Sequence, residues 1–201
     1  MQRVDDLLVW ADPGGLLRVV DLAELSSPVQ VSSLELEASD LAPSDDNWLY
    51  VATSEGLSLL DLSDARLPRL IALPVEPFPV LRLARAGDRL VALAARGHRN
   101  AELWTFALEA DDPLALTLVT VQPLYASLYH GVEDARGLVA EEARFVGTSQ
   151  ALYLPLSEHG LLALRGRSRW QLAGALSVDA SDVFIRHDRA SITGIAAAAP
   201  P

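Results

Sequence analysis

The chain has no cysteine and no lysine. Without cysteine, disulfides and thiolate metal sites are excluded, and the redox compartment is left open. Without lysine, all 16 basic side chains are arginines, set against 27 acidic ones, and the formal net charge is −11. A nucleic-acid-binding surface carries the opposite balance, so nucleic acid is not an expected partner. The missing lysine, with abundant leucine and alanine, fits the codon usage of a high-GC bacterial genome. Also missing is any apolar run of the roughly 18 to 20 residues that a membrane span needs. The N-terminus, Met1-Gln2-Arg3-Val4-Asp5-Asp6, has acids where a secretion signal has basic and then apolar residues. A cytoplasmic location is therefore favoured, with a processed, exported chain left open. Finally, no segment shows a convincing helical period.

What is present is apolar and repetitive. Half of the 201 residues are hydrophobic and the mean hydropathy is +0.22. That length suffices for one substantial core and is short for two. Leu8-Val9-Trp10-Ala11, a turn at Asp12-Pro13-Gly14-Gly15, an apolar run ending at Asp21, and Pro28 make a first unit. Leu49-Tyr50-Val51-Ala52, a turn at Thr53-Ser54-Glu55-Gly56, a run ending at Asp61, and Pro68 make a second. Ala11 and Ala52 stand 41 residues apart, as do Gly15 and Gly56, while Asp21 and Asp61 are 40 apart, as are Pro28 and Pro68. A third, looser unit runs from Leu90 through Asp112-Pro113, and a fourth begins at Leu152-Tyr153-Leu154.

A short strand is expected ahead of these units, at 41–43, 79–84 and 137–140. Four short strands per roughly 40 to 45 residues is the period of a propeller blade. The apolar runs barely alternate, which requires cover on both faces of each sheet. Blades stacked face to face supply it without helices, whereas a sandwich would leave alternating, half-solvated strands. The expectation is an all-β, β-propeller fold of four-stranded antiparallel blades, with four recognisable repeats and a partial fifth. The boundaries fall near 7–37, 38–75, 78–122, 135–175 and 176–195, followed by an Ala/Pro tail at 196–201. Residues 122–142 read as an insertion or long loop at a blade junction.

Residues 49–52, Gly56-Leu57-Ser58-Leu59-Leu60-Asp61-Leu62-Ser63-Asp64 and Pro68 resemble an LVIVD repeat, strongest over residues 7–95. The chain departs from that pattern at Ala65, where the family usually has proline, and at Ala23-Glu24, where it has Ser-Asp. The resemblance implies a β-propeller-like domain with a general interaction role. It carries no catalytic residues onto this sequence.

The candidate chemistry is sparse, and no catalytic group or cofactor site is assigned. Asp21 and Asp61 recur at blade period and read as caps of the turns that follow them. Gly15, Gly56 and Gly160 read as turn glycines. His98, His159 and His187 fall in equivalent turns and form the candidate metal or pH-responsive face. Glu133-Asp134 and Glu141-Glu142 are adjacent carboxylates that strand geometry would point apart. Trp10, Trp48, Trp104 and Trp170 read as packing between blades. Tyr125, Tyr129, His130, Arg165, Arg167 and Arg169 are the partner-binding candidates. The expected role is a non-enzymatic scaffold or protein-recognition module in a multi-protein assembly, possible as a homo- or hetero-oligomer. One alternative is a hydrolase or lyase with a central-channel site. Another is an incomplete propeller completed by a partner chain.

Overall fold

The computed structural model describes residues 1–44, 47–96, 100–110, 112–125, 145–148, 150–155, 161–166 and 170–176. Among these residues there is no helix, and hence none able to cross a membrane. The strands form four separate antiparallel sheets, each of four strands in simple chain order. Blade one holds β1 (Gln2–Val4), β2 (Leu7–Asp12), β3 (Leu16–Asp21) and β4 (Val29–Glu35). Blade two holds β5 (Ala38–Pro43), β6 (Trp48–Thr53), β7 (Leu57–Asp61) and β8 (Arg69–Ala72). Blade three holds β9 (Val80–Arg85), β10 (Arg89–Arg96), β11 (Asn100–Glu109) and β12 (Asp112–Tyr125). Blade four holds β13 (Val146–Gly147), β14 (Ala151–Pro155), β15 (Leu161–Arg165) and β16 (Gln171–Leu176).

The first strands of successive blades are neighbours: β1 lies beside β5, β5 beside β9, and β9 beside β13. They line one side of an axis, and the fourth strands form the outer rim. The unbroken apolar runs follow from this arrangement. Leu49 and Val51 on one face of β6 pack with Val9, Leu17 and Val19 of blade one. Tyr50 and Ala52 on its other face pack with Leu90, Ala92 and Phe106 of blade three. Both faces of β6 are thereby buried, and each fully covered leucine or valine contributes about 1.5–3 kcal/mol. Between blades three and four, Val91, Leu93 and Leu103 meet Leu152, Leu154, Leu164 and Trp170.

Local chemistry sets the turns. Asp21 Oδ1 accepts from the Ala23 N–H at 2.8 Å, and Asp61 Oδ1 from the Ser63 N–H at 2.9 Å. These bonds show the capping expected at both positions; Asp112 caps Leu114 in the same way at 2.9 Å. The hydroxyl and N–H of Ser63 hold the Asp61 carboxyl below its ordinary pKa. At the β6–β7 turn, Gly56 has φ of 145°, a region that disfavours any side chain. Pro28 and Pro68 immediately precede the rim strands β4 and β8. Pro113 sits in a shift of the β11–β12 register, where its missing N–H breaks no pair.

Several boundaries differ from the sequence reading. Blade one gains β1, and the strand preceding β14 is Val146–Gly147 rather than 137–140, which lie outside the described residues. Residues 122–125 are not part of an insertion. They continue β12, with Leu124 opposite Ala101 and Tyr125 opposite Asn100. Leu176 ends β16 rather than opening a fifth unit, and the remainder of that unit lies outside the described residues.

Candidate functional site

Two concavities stand out. The first is an axial recess of about 190 Å³ lined by Gln2, Asp40, Leu41, Ala42, Pro43, Leu83, Ala84, Arg85, Phe145, Val146 and Gly147. These residues lie on or beside the first strands of all the blades. Asp40 is the one carboxylate among its described lining residues. Its Oδ1 accepts from the Leu41 N–H and its Oδ2 from the Leu83 N–H, each at 2.9 Å. The side chain thus ties β5 to β9. Burial raises its pKa, against the pull of those two N–H groups and the Arg82 guanidinium. Nearby, the Ser39 hydroxyl donates to the Val80 carbonyl at 2.6 Å and makes a second tie between the same strands. Gly147 approaches β9 so closely that a Cβ there would overlap the Arg85 carbonyl. The recess is therefore a tightly stitched hub with one carboxylate already held by backbone donors.

The second concavity is a groove of about 430 Å³ at the edge of blade two. Three connections build it: the chain leaving β4, the β6–β7 turn, and the segment following β8. Leu36, Leu57, Leu70, Leu73 and Val75 give it an apolar lining, and the exposed Glu35, Glu37 and Glu55 flank it. Among the described residues no basic side chain lines it. Leu70, on the rim strand β8, is 40% exposed.

The sequence candidates are placed as follows. Arg165 ends β15, exposed and opposite Gln171 on the neighbouring strand. Tyr125 ends β12. Tyr129, His130, Arg167, Arg169, His98, His159, His187, Gly160 and both adjacent-carboxylate pairs lie outside the described residues. Among the described residues no group of three or more His, Asp or Glu side chains could hold a metal. Trp48 and Trp104 pack against the core between blades two and three, where Trp104 stacks on Phe78 at 4.2 Å. Trp170 is 2% exposed and its Nε1 donates to Thr105 Oγ1 at 3.0 Å. Those three bear out the packing role, whereas Trp10 is half-buried on the outward face of blade one.

Neither a protein-family model nor a curated protein sequence matches the chain. Solved structures do. BamB from Moraxella catarrhalis aligns at TM-score 0.54 and 12% identity, over 89% of this chain and 48% of that one. The dihydro-haem d1 dehydrogenase NirN aligns at TM-score 0.52 and 20% identity, over 86% of this chain and 35% of that one. With the blade arrangement, these similarities establish a β-propeller fold. The chain spans about half and about a third of the length of these two structures.

Proposed function

We propose that this chain is a non-enzymatic recognition module of LVIVD-type repeats, acting as a rigid scaffold within a multi-protein assembly. Its binding surface is the groove at the edge of blade two, and its ligand is an extended segment of a partner protein that alternates basic and apolar side chains. The observation that carries this reading is the composition of the groove: an apolar lining flanked by Glu35, Glu37 and Glu55. The net charge of −11 favours the same partner at long range. The stitched hub supports a scaffold role, because ties such as Asp40 fix the blades that present the groove.

The test is fluorescence anisotropy with a labelled peptide of alternating arginine and leucine, and a glutamate–leucine peptide as the control. The triple variant Glu35→Gln, Glu37→Gln, Glu55→Gln is compared with a charge-matched one at Asp5→Asn, Glu24→Gln, Glu109→Gln. Three exposed charge contacts of about 0.5 kcal/mol each predict roughly tenfold weaker binding for the groove variant. Equal weakening by both variants, or equal binding of the acidic peptide, would overturn the assignment.

A further inference from the structure

The groove opens on the face of blade two that looks toward blade one. Val51 and Leu60 bury that face against blade one, and Ser58, paired opposite Val51, lies on it. On the rim strand, Leu70 and Ala72 stand opposite Leu60 and Ser58 and carry the same face into the groove.

Strand register identifies the corresponding positions of blade three. Leu90 pairs with Phe106 as Leu49 pairs with Leu60, so Trp104, opposite Ala92, takes the place of Ser58. This face of blade three also looks toward the preceding blade. Leu90, Ala92 and Phe106 belong to the cluster shared with blade two, and Trp104 packs against it.

Blade three has its cleft filled from within the chain. Phe78 stacks on Trp104 with ring centroids 4.2 Å apart and planes 10° from parallel, and it is 8% exposed. It arrives on the connection between β8 and β9, which spans residues 73–79. The connection between β4 and β5 spans residues 36–37 alone and holds no aromatic residue. Leu36 packs at the edge of the cluster between blades one and two, and Glu37 lines the groove beside it. Blade two therefore lacks both rings of the stacked pair. Serine stands where the indole is, and the shorter connection brings nothing to lie on it. The groove of about 430 Å³ lies at this place.

We propose that the groove is the seat of an aromatic side chain of the partner segment, a tryptophan laid over Ser58 as Phe78 is laid over Trp104. This rests on the groove reading and names the residue that anchors it. An aromatic ring buries a large apolar area on few rotatable bonds, which is why such side chains anchor interfaces. The ring lies between Leu36 and Leu70, and the carboxylates of Glu35, Glu37 and Glu55 flank it. Arginines on either side of the tryptophan complement those charges.

The experiment is fluorescence anisotropy on the full chain with two labelled peptides. One is the alternating arginine–leucine peptide, and the other has its central leucine replaced by tryptophan. The tryptophan peptide should bind about tenfold tighter. Ser58→Trp places in blade two the residue that blade three carries there, and should erase this preference with an unchanged circular dichroism spectrum. Should that variant misfold, Ala72→Trp on the exposed rim strand closes the same space. In a methyl-labelled wild-type chain, the ring current should move the Leu70 and Ala72 methyl resonances upfield with the tryptophan peptide and not with the leucine peptide. Equal affinity of wild type for the two peptides overturns the aromatic seat and leaves the groove reading standing. A tryptophan preference that survives Ser58→Trp and Ala72→Trp, or that comes without the methyl shifts, overturns its placement on blade two. Binding of neither peptide overturns the groove reading and the seat together.

Discussion

Replacing Gln122 with alanine should loosen blade four from blade three. The Gln122 Nε2 donates to the Trp170 carbonyl at 2.7 Å, and its Oε1 accepts from the Trp170 N–H at 3.0 Å. One side-chain amide thus fastens the rim of blade three to the backbone entering the last strand of blade four. Truncation removes both bonds. Each contributes about 1 kcal/mol net, and a buried partner left unpaired costs about 1–3 kcal/mol. With Trp170 only 2% exposed, its freed backbone groups have little access to water, and Gln122→Ala should destabilise by about 2–4 kcal/mol. Urea unfolding followed by tryptophan fluorescence reads the total. Amide exchange localises it, because repeats couple chiefly to their neighbours: the Trp170 amide should exchange faster while β6 and β7 keep their protection. Gln122→Glu supplies a control. Its carboxylate faces the Trp170 carbonyl at neutral pH, whereas its protonated form restores a donor. The folded-state pKa of that glutamate is therefore raised, so the regained stability is complete below the unfolded value and lost as pH rises through the folded one. A Gln122→Ala variant within about 0.5 kcal/mol of wild type, with unaltered exchange at Trp170, would refute the reasoning.

Gly147→Ala should cost about 1–3 kcal/mol, because its Cβ meets the Arg85 carbonyl and β13 must move off β9; the lowered melting temperature by circular dichroism checks it. Asp40 has its pKa raised from 3.8, so its contribution to stability is complete below that value and is lost as pH rises through the raised one. Urea midpoints measured across that window should fall with pH for wild type, and Asp40→Asn should remove that part of the slope.

The blade pattern was legible because turn chemistry and strand patterning repeat together. Asp21 and Asp61 mark strand ends that the structure caps through Ala23 and Ser63. The weak alternation of residues 57–62 correctly required cover on both faces of that strand, with Leu57 and Leu59 in one core cluster and Leu60 and Leu62 in another. Shorter elements escaped. With three residues in β1 and two in β13, neither is long enough for a period to show. The end of β12 was misjudged because Pro123 interrupts its apolar pattern, yet on a rim strand its missing N–H can face outward. Asp40 gave no signal, since a lone acid between apolar residues does not announce two backbone donors on adjacent strands. The groove was missed because residues near 35, 55 and 73 converge only after three connections are laid side by side. Most candidates from sequence lie outside the described residues, and Arg165 is not among the described residues that line the recess at Asp40 or the groove at Glu55.

Among the ties between blades, one spans 33 residues from Ser32 to Ala65, another 48 from Gln122 to Trp170, and a third 63 from Tyr50 to Pro113. Each reaches no further than the adjacent repeat. A gene encoding such a protein can gain or lose one unit by recombination without rewriting the contacts of the others. Ring size is then open to evolutionary change, while the joint between any two members stays the same.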